Sequence, residues 1–314
     1  METDLDDDPV TSISPIDHLR AETELLINLF HDKCDYIGLG QRLPGVLRAL
    51  HAMANSNDRE EALRLTVRAT HMALLTLRSI GRPAETWLAA ERCRRAAEQL
   101  EDPVLLTIAG HDRAYAAFAC GTYARGATLA ANHLAEAGNH LDSLGGYEAY
   151  GQLLLTTAYG YIAVGRSEDS EELIREAERV AKLTGETGLR SRTGELVVPL
   201  HFGPTNVKFW RISAYADGEQ EHRAVRLALE TTPDAIQSMN WKGGFYQDLG
   251  KAMARVGRSS DSLMMLLSAE RIAPLRTRSS PIVRETARSL AEHGKFSDRR
   301  RILALCERLG LSVE

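Results

Sequence analysis

Residues 111–113 read His-Asp-Arg, which places an acid–base pair beside a cation. Catalysis by such groups needs a reacting partner, and no nucleophile is paired with them in sequence. Ligand hydrogen bonding is therefore expected of His111, and catalysis is not. His133 and His140 lie seven residues apart, with Glu136 and Asp142 nearby. Metal binding would require a third well-placed ligand and an unbroken helix, but Gly138 interrupts the segment, so surface positions are expected and no metal. GLGQRLPG (38–45) fails the dinucleotide pattern because Leu43 stands where the third glycine is required, and no Walker loop, HExxH or GxSxG occurs. No cofactor is expected. Arg299, Arg300 and Arg301 form a basic run whose simplest reading is a solvated face of a terminal hairpin.

A different candidate is PLHFGPTNVKFWR, residues 199–211. Gly203 suits a helix cap and Pro204 the first helical position, where a missing N–H costs nothing. Phe202 is placed to pack on Val207 as a hydrophobic staple. That alone makes a sound helix start. In addition, Thr205 and Asn206 fall in a first turn whose backbone N–H groups lack intrahelical partners, a ready site for a carboxylate or phosphate. Phe209 and Trp210 beside it would form the apolar wall of a pocket.

The elements that must position these groups are helices. Beyond residues 1–16, which read as a flexible acidic leader, apolar residues recur at three- and four-residue intervals to the end of the chain. LVVPL (196–200) is the sole strand-like run and reads as a connector. Residues 17–314 are expected to form one all-α helical-repeat domain. A net charge of −5 argues against a nucleic-acid coat, since phosphate binding needs a clustered basic footprint. No apolar run is long enough for a membrane helix, and the N-terminus lacks a signal pattern, so a cytoplasmic location is expected. Cys34, Cys93, Cys120 and Cys306 are widely spaced and read as reduced, mostly buried thiols.

Above the helices a second regularity appears. Residues 244–274 carry Tyr246, Leu249, Gly250 and Met253, then Gly257, then Ser262, Leu266 and Ala269, with Pro274 closing the unit. Residues 151–184 repeat the template with Leu154, Ala158 and Tyr161, Gly165, then Ser170, Ile174 and Ala177. Weaker copies pivot on Gly81, Gly121, Asp217-Gly218 and Gly294. The glycine supplies a left-handed helix end, and the small residues let paired helices approach closely. This spacing resembles the tetratricopeptide repeat. Six or seven pairs stacked in a right-handed superhelical arc, an α-solenoid, are expected.

From about His18 to Leu311 the chain is similar to the sensor half of actinobacterial transcriptional regulators with a Cro-like helix-turn-helix. YIGLGQRLPGVLRAL (36–50), GRPAETWLAAERCRRAAE (81–98), HFGPTNVKFWR (201–211) and APLRTRSSPIVRETARSLAE (273–292) carry the likeness. In those regulators a helix-turn-helix domain precedes the repeats, whereas here a short acidic leader does. The resemblance therefore implies a sensor fold and a regulatory setting, and it does not carry direct DNA binding over to this chain.

In such arrays the first helix of each pair lines the concave side. Projecting that template points His71, Arg78, His111, Tyr115, Phe118, Gln152, Leu155 and Tyr159 inward. Thr205, Asn206, Lys208 or Phe209, Gln247, Lys251, Arg284 and Arg288 follow. Around 204–218 a one-residue change of register exchanges Thr205/Lys208 for Asn206/Phe209. An aromatic inner face with Arg and Lys at one end suits an anionic or carboxylate-bearing small molecule or short peptide. The expected ligand set is Thr205, Asn206, Phe209, Trp210, His111, Tyr115, Tyr159, Gln247, Lys251 and Arg284. The function expected is ligand sensing that controls transcription or a partner protein, in a chain compatible with a homodimer. The alternatives are a protein–protein scaffold and a biosynthetic enzyme on a repeat framework.

Overall fold

The helical period of the sequence is met along the whole described chain. A computed structural model describes residues 16–54, 56–186 and 200–312. They form α1 (Ile16–His31), α2 (Tyr36–Met53), α3 (Arg59–Ser79), α4 (Pro83–Leu100), α5 (Pro103–Ala119), α6 (Tyr123–Ala137), α7 (Leu144–Ala163) and α8 (Ser167–Thr184). After the connector come α9 (Pro204–Asp217), α10 (Glu221–Leu229), α11 (Met239–Arg255), α12 (Ser259–Ile272), α13 (Pro274–Ser279), α14 (Pro281–His293) and α15 (Arg299–Arg308). No strand occurs among the described residues, and no helix there is long and apolar enough to cross a membrane. The acidic leader lies outside the described residues except for Ile16, which opens α1. Most of LVVPL lies outside them too.

Consecutive helices pack as pairs because one backbone device recurs between them. Gly81, Gly121, Gly165 and Gly257 take φ of +72 to +81°, a region that costs an L side chain energy. The next N–H then reaches back five residues: Arg82 to the Leu77 carbonyl, Thr122 to Ala117, Arg166 to Tyr161 and Arg258 to Met253, at 2.8–3.0 Å. Two of the expected pivots differ. Gly218 has φ −94°, and its neighbour Glu219 takes the left-handed place. Gly294 has φ −71°, because a 3-10 turn over Phe296–Asp298 reverses the chain there instead.

The two best sequence copies share a contact as well as a spacing. Ser170 Oγ donates to the Ala158 carbonyl at 2.8 Å, and Ser262 Oγ to the Gly250 carbonyl at 2.7 Å. A Cβ on Gly250 would stand 2.8 Å from Leu266, so the helices cross at the distance that small residues permit. Such close packing is intolerant of added volume.

The first helices of the pairs, α3, α5, α7, α9 and α11, also pack side by side. The N-terminal helices meet the C-terminal third. Asn240 at the start of α11 donates to the Phe30 carbonyl at 3.0 Å and to the Tyr36 hydroxyl at 2.7 Å. Arg276 of α13 donates to Ser79 of α3 at 3.3 Å and to Asn240 at 2.6 Å. The first helices thus enclose an interior space.

Candidate functional site

Helical spacing directs one stripe of each first helix into that space. His71, Leu75 and Arg78 come from α3, His111 and Tyr115 from α5, and Gln152 and Tyr159 from α7. Trp210, Ser213 and Asp217 of α9 and Gln247, Asp248 and Lys251 of α11 complete the ring. The cavity they line has a volume of about 460 Å³, within the range of ordinary small-molecule sites.

One end is built on imidazoles. His71 Nδ1 lies 2.8 Å from Asp112 Oδ1, a carboxylate with no exposed surface. Because a carboxylate accepts, Nδ1 of His71 donates, and Nε2 has no hydrogen-bond partner among the described residues. His111 Nδ1 lies 2.6 Å from Thr156 Oγ1, whose proton goes to the Gln152 carbonyl at 2.8 Å. The hydroxyl has one proton, so His111 must donate to it. Burial pushes the His111 pKa down to about 4 against the upward pull of Asp112, which leaves the ring neutral at pH 7. The side-chain oxygen of buried Gln152 has no partner among the described residues.

The other end carries charge. Asp217 accepts from the Tyr159 hydroxyl at 2.5 Å and from Lys251. Burial and then Asp217 hold the Tyr159 phenol well above its usual pKa, so it stays a donor. Asp248 accepts from Ser213 at 2.5 Å, and burial followed by Asp217 raises its pKa. Arg78 sits 4.0 Å over the Tyr115 ring. Among the described residues it makes no ion pair or hydrogen bond, and its Nε is buried without a partner. Burial opposes its charge, but Tyr115, Tyr159, Asp248 and Asp217 outweigh that and raise its pKa. Between the two ends run rings in contact. Tyr115 stacks on His111 at 5.4 Å, and Trp210 meets Tyr115 at 5.8 Å and Tyr159 at 5.9 Å.

Of the expected ligand residues, Phe209, Trp210, His111, Tyr115, Tyr159, Gln247 and Lys251 line the cavity. Thr205, Asn206 and Arg284 do not. The first turn of α9 is already filled from within: Glu186 Oε1 accepts the Thr205 N–H at 2.8 Å and its hydroxyl at 2.7 Å. Gly203 permits that approach, since a Cβ there would stand 2.6 Å from the same carboxylate. Asn206 is buried beside a separate pocket of about 30 Å³ and finds no side-chain hydrogen-bond partner among the described residues. Phe209 and Trp241, stacked 6.0 Å apart, line both spaces. Lys208 is exposed, so Asn206 and Phe209 form the inward register. Phe202 is fully buried, with its ring where a Cβ on Gly151 would be 2.1 Å away.

Arg284 donates to the Leu309 carbonyl at 2.7 Å, at the end of α15. The cavity face of α14 is instead Ile282 and Glu285, one position off the projection. Arg288 is exposed, and Phe118 and Leu155 belong to the core rather than the cavity wall. Ser213, Asp217, Asp248, Trp241 and Arg276 were not anticipated. The first two follow from continuing the three- and four-residue steps from Trp210. Arg276 could not be found this way, because it reaches the cavity only through the meeting of the chain's two ends.

His133 packs against Gly110, and His140, beyond the end of α6, bonds Glu136 at 3.0 Å. No group of three possible metal ligands is assembled among the described residues. All four cysteines are free; Cys120 is exposed and the other three are buried. Compared with known protein families and curated proteins, the chain matches no family model and no curated relative.

Proposed function

We propose that this chain is a ligand-sensing regulatory protein of the cytoplasm, a tetratricopeptide-like solenoid closed around one small molecule. The observation that carries this reading is the 460 Å³ cavity ringed by side chains of five first helices, with polar groups left uncommitted at both ends. A purely structural interior would fill such a space with apolar side chains and leave few unmet polar groups. The occupant controls transcription or a partner protein through the shape of the array, in a monomer or homodimer. Arg276 supports that coupling, since it lines the cavity and also joins α13 to Ser79 and Asn240. A ligand that favours the closed arrangement shifts the population toward it by its differential affinity.

Native mass spectrometry of the protein purified from its own host tests the reading. A noncovalent small molecule lost on activation is the expected result. A bare chain that carries only a tightly bound protein would overturn it in favour of the scaffold.

A further inference from the structure

The charges at one end of the cavity are unequally committed. Asp217 is taken by Lys251 and Tyr159, and Asp248 by Ser213. Arg276 is held by Ser79 and Asn240. Arg78 alone among these has no polar partner among the described residues; its guanidinium lies over the Tyr115 ring, and the residue lines the cavity. Asp248 and Asp217 favour its charge from a distance, but among the described residues no acceptor meets its N–H donors, and a guanidinium fork matches a carboxylate in two parallel bonds. Asp217 and Asp248 on the same wall limit how much further negative charge the site can take, which favours a monoanion over a dianion such as a phosphate monoester.

Resting on the reading that the cavity takes a small molecule, we infer that its ligand is a flat aromatic monocarboxylate whose acid group pairs with Arg78. Its ring lies against Trp210, which meets Tyr115 and Tyr159 beside that end, and extends toward Phe209, another wall of the same cavity. His71 and Arg78 are seven residues apart on α3, about 10 Å along a helix, which spans two fused rings plus their substituents. The far end of the ligand meets Nε2 of His71, a polar atom that a hydroxyl, donor and acceptor at once, can pair with.

Hydroxynaphthoate, naphthoate and neutral naphthamide are titrated by calorimetry and by quenching of tryptophan fluorescence. In the wild-type chain the acids should bind about tenfold or more tightly than the amide, the order expected for a charge-assisted pair. Hydroxynaphthoate should bind severalfold more tightly than naphthoate. Arg78→Gln should erase the preference for acid while leaving amide affinity in place, and Arg78→Lys should restore part of it. Equal affinity for acid and amide in the wild type overturns the inference, as does an unchanged ratio in Arg78→Gln. No saturable binding of either acid also overturns it. The small-molecule reading survives those outcomes if native mass spectrometry finds an occupant, and fails separately if it does not. Should Arg78→Gln not fold, the wild-type ratio of acid to amide decides.

Discussion

The start of α9 and the charged end of the cavity both offer binding to an anion, and they have met opposite fates. At α9 the first-turn N–H and hydroxyl of Thr205 are answered by Glu186 of the same chain. In the cavity Arg78 is stacked and enclosed but unanswered. A helix start has the same chemistry wherever it occurs, so it is easily satisfied from a neighbouring loop. An enclosed guanidinium can be satisfied only by what the cavity admits. The comparison teaches that a binding site is marked by what the fold leaves uncommitted rather than by the strength of a local motif.

Acidification should give the largest effect and act on both regions. His201 beside α9 and His111 in the cavity each have a pKa lowered to about 4 by burial. His31, burial again its main cause, is also lowered. The unfolded chain binds more protons than the folded one between about pH 6.5 and 4, so stability is full above 6.5 and falls as the pH drops. At pH 4 the loss approaches roughly 3 kcal/mol for each of His111 and His201. Denaturant titrations across that range should show it. His111→Asn and His201→Gln should each flatten the pH slope by a similar share, and a slope owed to one region alone would break the symmetry.

Phe202→Ala should come next, at about 3–5 kcal/mol, since it empties the space against Gly151. Urea unfolding measures it. An effect confined to stability, with acid binding kept in the folded variant, would confirm that the start of α9 is structural. Glu186→Gln should cost about 1 kcal/mol or less, because the carboxylate is solvent-exposed and the pair is screened. It should leave probe binding unchanged, and a loss of binding there would return the ligand to α9. Arg78→Gln should change the midpoint least, by about 1 kcal/mol or less, because it gives up only a cation–ring contact with Tyr115 and breaks no hydrogen bond or ion pair seen among the described residues. A large loss of stability in that variant would mean that Arg78 holds the fold, and the contrast between the two regions would disappear.

Much of this was legible in the spacing of residues. Ala158 with Ser170 and Gly250 with Ser262 stand at one interval, and both pairs make the same hydroxyl-to-carbonyl bond. The projection inward from first helices reached His71, Arg78, His111, Tyr115, Gln152, Tyr159, Gln247 and Lys251, because period alone decides which face of a helix shares a side. It failed at Arg284, where α14 is turned by one position, and at Thr205, where a loop carboxylate had arrived first. Neither orientation nor loop path has a period to read.

The sequence by itself determined that the chain is helical, where its helices pair, and which stripe of each first helix points away from its partner. Those are local matters of period, left-handed glycines and small residues at crossings. Only the tertiary structure decided that the N-terminal helices meet α11 and α13, that Arg276 and Asp248 enter the interior, and that Glu186 fills the first turn of α9 while Arg78 remains open. Each of these depends on groups far apart in the chain coming within bonding distance, and no interval along the sequence encodes such a distance.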